Sequence, residues 1–236
     1  MFVYETEIEQ RTLAWHKQRL GKITGSEVGK IWGAGRKKDD LFSVTAKGYL
    51  MRKVAERNIP QWVLDDAEML LTYLDQENSE TKAMRFGTEQ EPQARLLYAH
   101  ELGNDWVIIE TGSVPHPTLS FFASSPDGLV ASADEPWKPV GCIEIKCPGV
   151  QRWVEYAMVV DGETLKEINP DYYWQCQSHM AVTNTQWCDF VVYNPFQKSG
   201  IHIARISRND SDIELLEKRL LQAEAFIEDI LSKIQK

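Results

Sequence analysis

Asp127, Glu144 and Lys146 are the residues of this chain whose types and spacing could do chemistry. Asp127 stands in Ser125-Pro126-Asp127-Gly128, and Glu144 and Lys146 alternate with Ile143 and Ile145 in Cys142-Ile143-Glu144-Ile145-Lys146-Cys147-Pro148. In a strand, that alternation sends the acid and the amine to one face and the two isoleucines to the other. An acid and an amine buried side by side are costly unless they are paired or hold a metal. With Asp127 at a strand end, Glu144 on a neighbouring strand and Glu91 on a helix, the set offers the hard oxygen donors that Mg²⁺ prefers. Such a site suits phosphodiester hydrolysis, in which two ions roughly 3.5–4 Å apart stabilise the attacking and leaving oxygens and acidify a water. Lys146 would orient that water or neutralise the phosphate. The alternative is a solvated Glu–Lys pair on an exposed strand face, which contributes little.

The elements that must position these groups can be read from periodicity and turn chemistry. Short runs at 106–111, 120–123, 128–131 and 140–147 are rich in β-branched and aromatic residues and separated by Pro, Gly and Asp, which predicts consecutive strands of one sheet. The runs at 187–193 and 201–206 resume that sheet. Helical spacing marks 13–20, 42–54, 64–74, 150–160 and 171–182, with loops at 75–80 and near Asp161-Gly162. Within 171–182, Tyr172 and Gln175 share a face through i, i+3 spacing. Thr88-Glu89-Gln90-Glu91 has capping-box spacing, so a helix is expected to start or kink there and run to about Leu102, with Pro92 in its first turn. Glu91 is then a capping acid or a carboxylate aimed into a site. Ser26 is a helix cap or part of an anion receiver, because a helix start offers free N–H groups. Trp15 and Leu20 are expected in the core and His16 on the surface. The clearest helix is the last, where Ile213, Leu216, Leu220, Ala223, Ile227, Ile230 and Ile234 recur at steps of three and four behind Asp210-Ser211-Asp212 as a cap.

The 236 residues, 43% hydrophobic and 26% charged, are enough for one large core, and a single domain over 1–236 is the simplest organisation. No apolar run approaches the length of a membrane span and the first ten residues carry acids, so a cytoplasmic protein with no membrane partner is expected. Cys142, Cys147, Cys176 and Cys188 lack zinc-type pairing and should be reduced and mostly buried. A net charge of −9 excludes a protein that grips nucleic acid over its whole surface. Any such contact must be local, and Arg36-Lys37-Lys38, continued by Lys47, Arg52 and Lys53, is a candidate to lie along a phosphate backbone. A solvated loop followed by an ordinary helix face is the other reading of that stretch.

Asp127 followed by Glu144-Ile145-Lys146 resembles the PD-(D/E)xK nuclease motif. Its context is similar to one branch of that superfamily, the phage lambda exonuclease-like, YqaJ-type viral alkaline exonucleases. Ala14-Trp15-His16-Lys17, Arg19-Leu20-Gly21, Ile23-Thr24 and Ser26-Glu27-Val28 resemble the branch's N-terminal signature. Gly87 with Glu91, Ser125-Pro126-Asp127-Gly128, Glu144 to Pro148 and Gln175-x-Gln177 follow in the same order. The resemblance implies an α/β restriction-endonuclease-like fold, a central mixed β-sheet flanked by helices. It also implies a Mg²⁺-dependent exonuclease that digests one strand of linear double-stranded DNA from its 5′ end to mononucleotides, leaving a 3′ overhang.

By position, the resemblance makes Asp127 and Glu144 metal ligands, adds the Ile145 carbonyl, and puts Glu91 on a second ion, with Mn²⁺ able to substitute. Lys146 would handle the nucleophilic water, Gln175 would steady it, and Tyr172 would lie beside the scissile phosphate. Arg19 and Ser26 match residues that receive the 5′ phosphate. Arg36, Lys37 and Lys38 match a segment that tracks the duplex, and Met84 stands where an apolar wedge splits the end base pairs, although Met also fills core gaps. Pro92 departs from the family pattern and would shift the helix carrying Glu91. The resemblance further implies a homotrimeric ring around DNA and a single-strand annealing protein as partner. Rival readings are another nuclease of the superfamily, an endonuclease or resolvase, and a DNA-end-binding module without catalysis.

Overall fold

A computed structural model describes residues 8–35, 40–77 and 81–235. The basic residues Arg36, Lys37 and Lys38 lie outside the described residues, so the reading that they track DNA has no structural counterpart here.

The chain opens with α1 (Leu13–Arg19), capped by Thr12, whose hydroxyl accepts from the Trp15 amide. A two-residue strand β1 (Ile23–Thr24) leads into a 3₁₀ helix, Gly25–Trp32. Next come α2 (Val44–Arg57), α3 (Gln61–Asp65), α4 (Ala67–Glu77) and the long α5 (Lys82–Leu102). Strands β2 (Trp106–Ile109), β3 (Val114–Pro115), β4 (Phe122–Ser124), β5 (Gly128–Ser132) and β6 (Gly141–Lys146) follow. Then α6 (Val150–Tyr156), α7 (Gly162–Ile168) and α8 (Pro170–Thr183) precede β7 (Trp187–Tyr193), β8 (Ile201–Ser207) and α9 (Asp210–Ile234).

The strands form two sheets where one was expected. The larger runs β2-β5-β6-β7-β8 and is mixed, its β6–β7 pair parallel and its other pairs antiparallel. The smaller runs β1-β4-β3, with β1 and β4 parallel. Pro126 separates β4 from β5, so the chain changes sheets directly before Asp127.

The alternation read in β6 holds. Ile143 and Ile145 pack with Ala94 and Tyr98 of α5, whereas Cys142 on the opposite face joins a core containing Cys176 and Met180 of α8. The large sheet is therefore a layer between α5 and α8. Register between α5 and the sheet is fixed where the Tyr98 hydroxyl donates to Asp189 Oδ2 at 2.8 Å, a carboxylate that Arg205 also grips. All of α8 from Tyr173 to Thr183 is buried, and Gln175, Gln177, His179 and Thr183 all find hydrogen-bond partners inside the protein.

Several local expectations are corrected. The periodic stretch 64–74 is two helices, because Asp66 Oδ1 accepts from the amides of Glu68 and Met69 and restarts the helix. The expected loop at 75–80 is helical as far as Glu77. The Thr88–Glu91 spacing is not a helix start: α5 begins at Lys82 under a Thr81 cap and runs through Pro92. Burial of Ala94 and Tyr98 against the sheet outweighs the hydrogen bond that Pro92 cannot make. The stretch 150–160 is helical only to Tyr156, and α7, where a loop was expected, is announced by an Asp161/Thr164 capping box.

At the last helix the cap is Asn209, whose Oδ1 accepts from the Asp212 amide. Its buried stripe ends on Leu231, leaving Ile234 exposed. The four cysteines are free and buried, as expected. Among the described residues, no helix is long and apolar enough to cross a membrane.

Candidate active site

Asp127 sits immediately before β5, and two hydrogen bonds, one from its main chain and one to its side chain, clamp it to the main chain of β6. Its amide donates to the Ile143 carbonyl at 3.0 Å, and its Oδ2 accepts from the Ile145 amide at 2.6 Å. Gly128 allows this closeness, since a Cβ there would meet Ile108 at 2.7 Å and Ile143 at 3.1 Å. Glu144 projects from the α8 side of β6 and is buried. Its Oε1 lies 2.5 Å from Lys146 Nζ and its Oε2 lies 2.6 Å from His179 Nε2. Lys146 Nζ also donates to Gln175 Oε1 at 3.3 Å and stands 4.4 Å from the centre of the Tyr172 ring. The i, i+3 pairing of Tyr172 with Gln175 therefore does bring both to one lysine.

Glu91 is carried by α5 and gripped from two sides. Arg95, one turn on, donates to its Oε1 at 3.1 Å and also to the Asp127 main-chain carbonyl, while Arg11 donates to Oε2. Glu91 is thus no capping acid but a carboxylate directed at the site. Arg19 bonds Ser125 Oγ at 2.9 Å and Ser26 Oγ at 3.3 Å, and its guanidinium lies 4.1 Å over the Trp15 ring. The Trp15 indole N–H donates to the same Ser125 hydroxyl at 3.2 Å. Trp15 is half-buried in the site wall rather than in the core. Thr24, not Ser26, occupies the cap position of the 3₁₀ helix.

One cavity of about 190 Å³ is lined by Asp127, Glu144, Ile145, Lys146, Gln175, Glu91, Arg19, Ser26 and Ser125. Tyr172 is not among its lining residues and reaches it through Lys146. A neighbouring cavity of about 320 Å³ shares Arg19 and Ser26 and adds Met84, His16 and Leu20. Met84 is 58% exposed and so not a core residue, and His16 faces this cavity rather than the open surface.

Electrostatics divides the charged groups by role. Burial, then the nearby charges of Glu144 and Glu91, push the Asp127 carboxyl well above the usual carboxylate range. Burial pushes Glu144 the same way, but Lys146 and the His179 hydrogen bond outweigh it and hold its pKa down. For Lys146, burial opposes the charge and Glu144 more than compensates, so its pKa is raised and it stays an ammonium. Arg19 is lowered to about 10 by burial. A guanidinium bonded to hydroxyls rather than carboxylates still has its charge to offer to an anion.

The donor set fits a hard divalent cation in its chemistry: three carboxylates and the Ile145 main chain around one cavity, with Asp127 under electrostatic pressure that a cation relieves. Among the described residues, no three acidic, His or Cys side chains already converge as a metal cage. The oxygens of Glu144 are engaged by Lys146 and His179, and those of Glu91 by Arg11 and Arg95.

Residues 14–186 match the family model of the YqaJ-like viral recombinase domain. The chain belongs to that family. The YqaJ-like chain is similar over 95% of its length to 96% of an alkaline exonuclease, LHK-Exo, from Laribacter hongkongensis, at 30% identity and a TM-score of 0.72. The same figures hold for that exonuclease in complex with dAMP. A phage-related exonuclease from Haemophilus somnus 129PT shares the fold at 18% identity and a TM-score of 0.60, over 90% of this chain and 96% of that one. No curated protein matches the YqaJ-like chain significantly. The α/β, restriction-endonuclease-like architecture expected from the sequence is that of these exonucleases.

His179, Arg95, Arg11 and Ser125 are site residues that sequence reasoning missed. One was within reach of helix spacing, since Arg95 follows Glu91 by four residues on α5.

Proposed function

We propose that this chain is a divalent-cation-dependent DNA exonuclease that engages linear duplex at a 5′-phosphorylated end, digests that strand 5′ to 3′ to mononucleotides and leaves a 3′ overhang. The observation that carries this reading is that the Arg19, Ser26 and Ser125 receiver opens into the same cavity as Asp127, Glu144 and Lys146. A hydrolytic centre and an anion receiver sharing one small chamber suit cleavage close to a phosphorylated end. Family membership supports the nuclease class, and a relative captured with dAMP supports a mononucleotide product.

In this mechanism Arg19, with Ser26 and Ser125, binds the terminal phosphate and sets the register of the strand. Asp127, Glu144, Glu91 and the Ile145 carbonyl would hold Mg²⁺, or Mn²⁺ in its place, two ions in all. Such ions, when bound, supply charge to the phosphate oxygens and lower the pKa of a water. Lys146, paired with Glu144 and bonded to Gln175, would orient the attacking water or neutralise phosphate charge. Gln175 holds the ammonium from behind, and Tyr172 offers it a ring face beside the scissile group. Met84, exposed in the cavity beside the receiver, would wedge the terminal base pair, a role supported by the family resemblance. Arg36, Lys37 and Lys38 would follow the duplex. A homotrimeric ring and a single-strand annealing protein as partner, supported by the family resemblance alone, and a cytoplasmic setting, expected from the sequence, complete the proposal.

Linear and covalently closed duplex, incubated in parallel with Mg²⁺ or Ca²⁺, test this reading. Loss of linear DNA in Mg²⁺, with closed circles intact and both forms uncut in Ca²⁺, is the expected pattern. Cutting of closed circles would assign the chain to the endonucleases instead.

A further inference from the structure

His179 is fully buried in the C-terminal half of the buried helix α8. Its two ring nitrogens are both used. Nε2 lies 2.6 Å from Glu144 Oε2, and Nδ1 lies 2.8 Å from Ser124 Oγ, which is itself buried on β4. A carboxylate can only accept, so Nε2 carries the proton; in the neutral ring Nδ1 then accepts from the Ser124 hydroxyl. The ring is fixed at both edges, and with it one of the two oxygens of Glu144. Close packing reinforces the clamp, since Gly25 lies so near that a Cβ would come within 1.9 Å of Ser124 Oγ.

The arrangement spans the two sheets. Glu144 belongs to the large sheet, and Ser124 belongs to the small one. Ser125, the next residue, is the hydroxyl that Arg19 and Trp15 both grip. The Glu144 oxygen on the Lys146 side is held by an ammonium that itself lines the open cavity, whereas the His179 side is held by a fully buried ring, bonded at both edges, that does not line it. A carboxylate steadied at one oxygen and free to exchange partners at the other is organised to bind a cation.

We propose that His179 is a positioning residue, which orients Glu144 for a divalent cation and anchors it through Ser124 to the end of β4, next to Ser125 of the phosphate receiver. This rests on the reading of Glu144 and Asp127 as metal ligands. His179 does not touch substrate, so its effect must be seen in cation binding.

The test is calorimetric titration of the full-length protein with Ca²⁺ alone, for wild type, His179→Leu, His179→Gln and Asp127→Ala. His179→Leu should bind Ca²⁺ about 10- to 100-fold more weakly, the usual cost of removing a residue that orients a metal ligand. His179→Gln, whose amide can still donate to Glu144, should recover most of the loss. Wild-type affinity in His179→Leu, with binding lost in Asp127→Ala, would overturn the role of His179 and leave the metal site standing. Wild-type affinity in Asp127→Ala would overturn both. Should His179→Leu fail to fold by circular dichroism, Ser124→Ala removes only the outer bond. It should weaken Ca²⁺ binding severalfold, and unchanged affinity there would overturn the assignment.

Discussion

Arg95 joins the helix that carries Glu91 to the turn that carries Asp127: one guanidinium donates both to Glu91 Oε1, at 3.1 Å, and to the Asp127 main-chain carbonyl. The two acids come from distant parts of the chain and from different elements. Without this bridge only the packing of α5 on the sheet would set their separation. Arg95→Ala should therefore slow digestion of linear duplex roughly ten- to hundredfold, as small misplacements of catalytic groups do. Its melting temperature should change little, because Tyr98 and Asp189 still fix the register of α5. Initial rates and thermal melts of the variant check both halves.

The receiver predicts a preference, not merely an activity. Arg19 meets two hydroxyls and keeps its charge for an anion. Wild-type protein should digest 5′-phosphorylated duplex faster than 5′-hydroxyl duplex. Arg19→Ala should erase that difference, chiefly by slowing the phosphorylated substrate. Rates on the two substrates, for both proteins, are the measurement.

Behind the receiver, Glu27 gives a pH dependence whose sign can be stated. Burial raises its pKa, but the Lys30 hydrogen bond and the charges of Lys53, Lys30 and Arg52 outweigh this and bring it from 4.5 to about 2. A depressed carboxylate pKa contributes stability that is fully present above the unfolded value and is lost as pH falls through the folded one. A depression of that size is worth on the order of 3 kcal/mol. Chemical denaturation between pH 4.5 and pH 2 should show wild-type stability falling through that window. Glu27→Gln should start lower at neutral pH and show a flatter profile.

Much of this was legible in the sequence where periodicity and chemistry agreed. The two-faced strand β6 was, because an acid and an amine alternate with isoleucines, and so was the shared face of Tyr172 and Gln175. The division into two sheets was not: β1 and β3 are two residues each, too short to leave a pattern, and they exist because β4 pairs with both. The long α5 was misread as starting near Thr88, because Pro92 and a cap-like spacing argued locally for a boundary that packing overrides. His179 was missed for a further reason. A histidine inside a buried helix gains its meaning only from partners on two other strands, and no spacing rule connects residues 124, 144 and 179.

The central claim is that a cation-dependent centre built on Asp127 works beside a 5′-phosphate receiver. Its most direct test is a duplex labelled at one 5′ end or the opposite 3′ end, digested in Mg²⁺ by wild type and by Asp127→Ala and sampled over time. The account predicts that wild type releases the 5′ label at once as mononucleotide while the 3′-labelled strand shortens progressively from its 5′ side, and that Asp127→Ala, folded, releases nothing. Early release of the 3′ label, or wild-type digestion by Asp127→Ala, would contradict it.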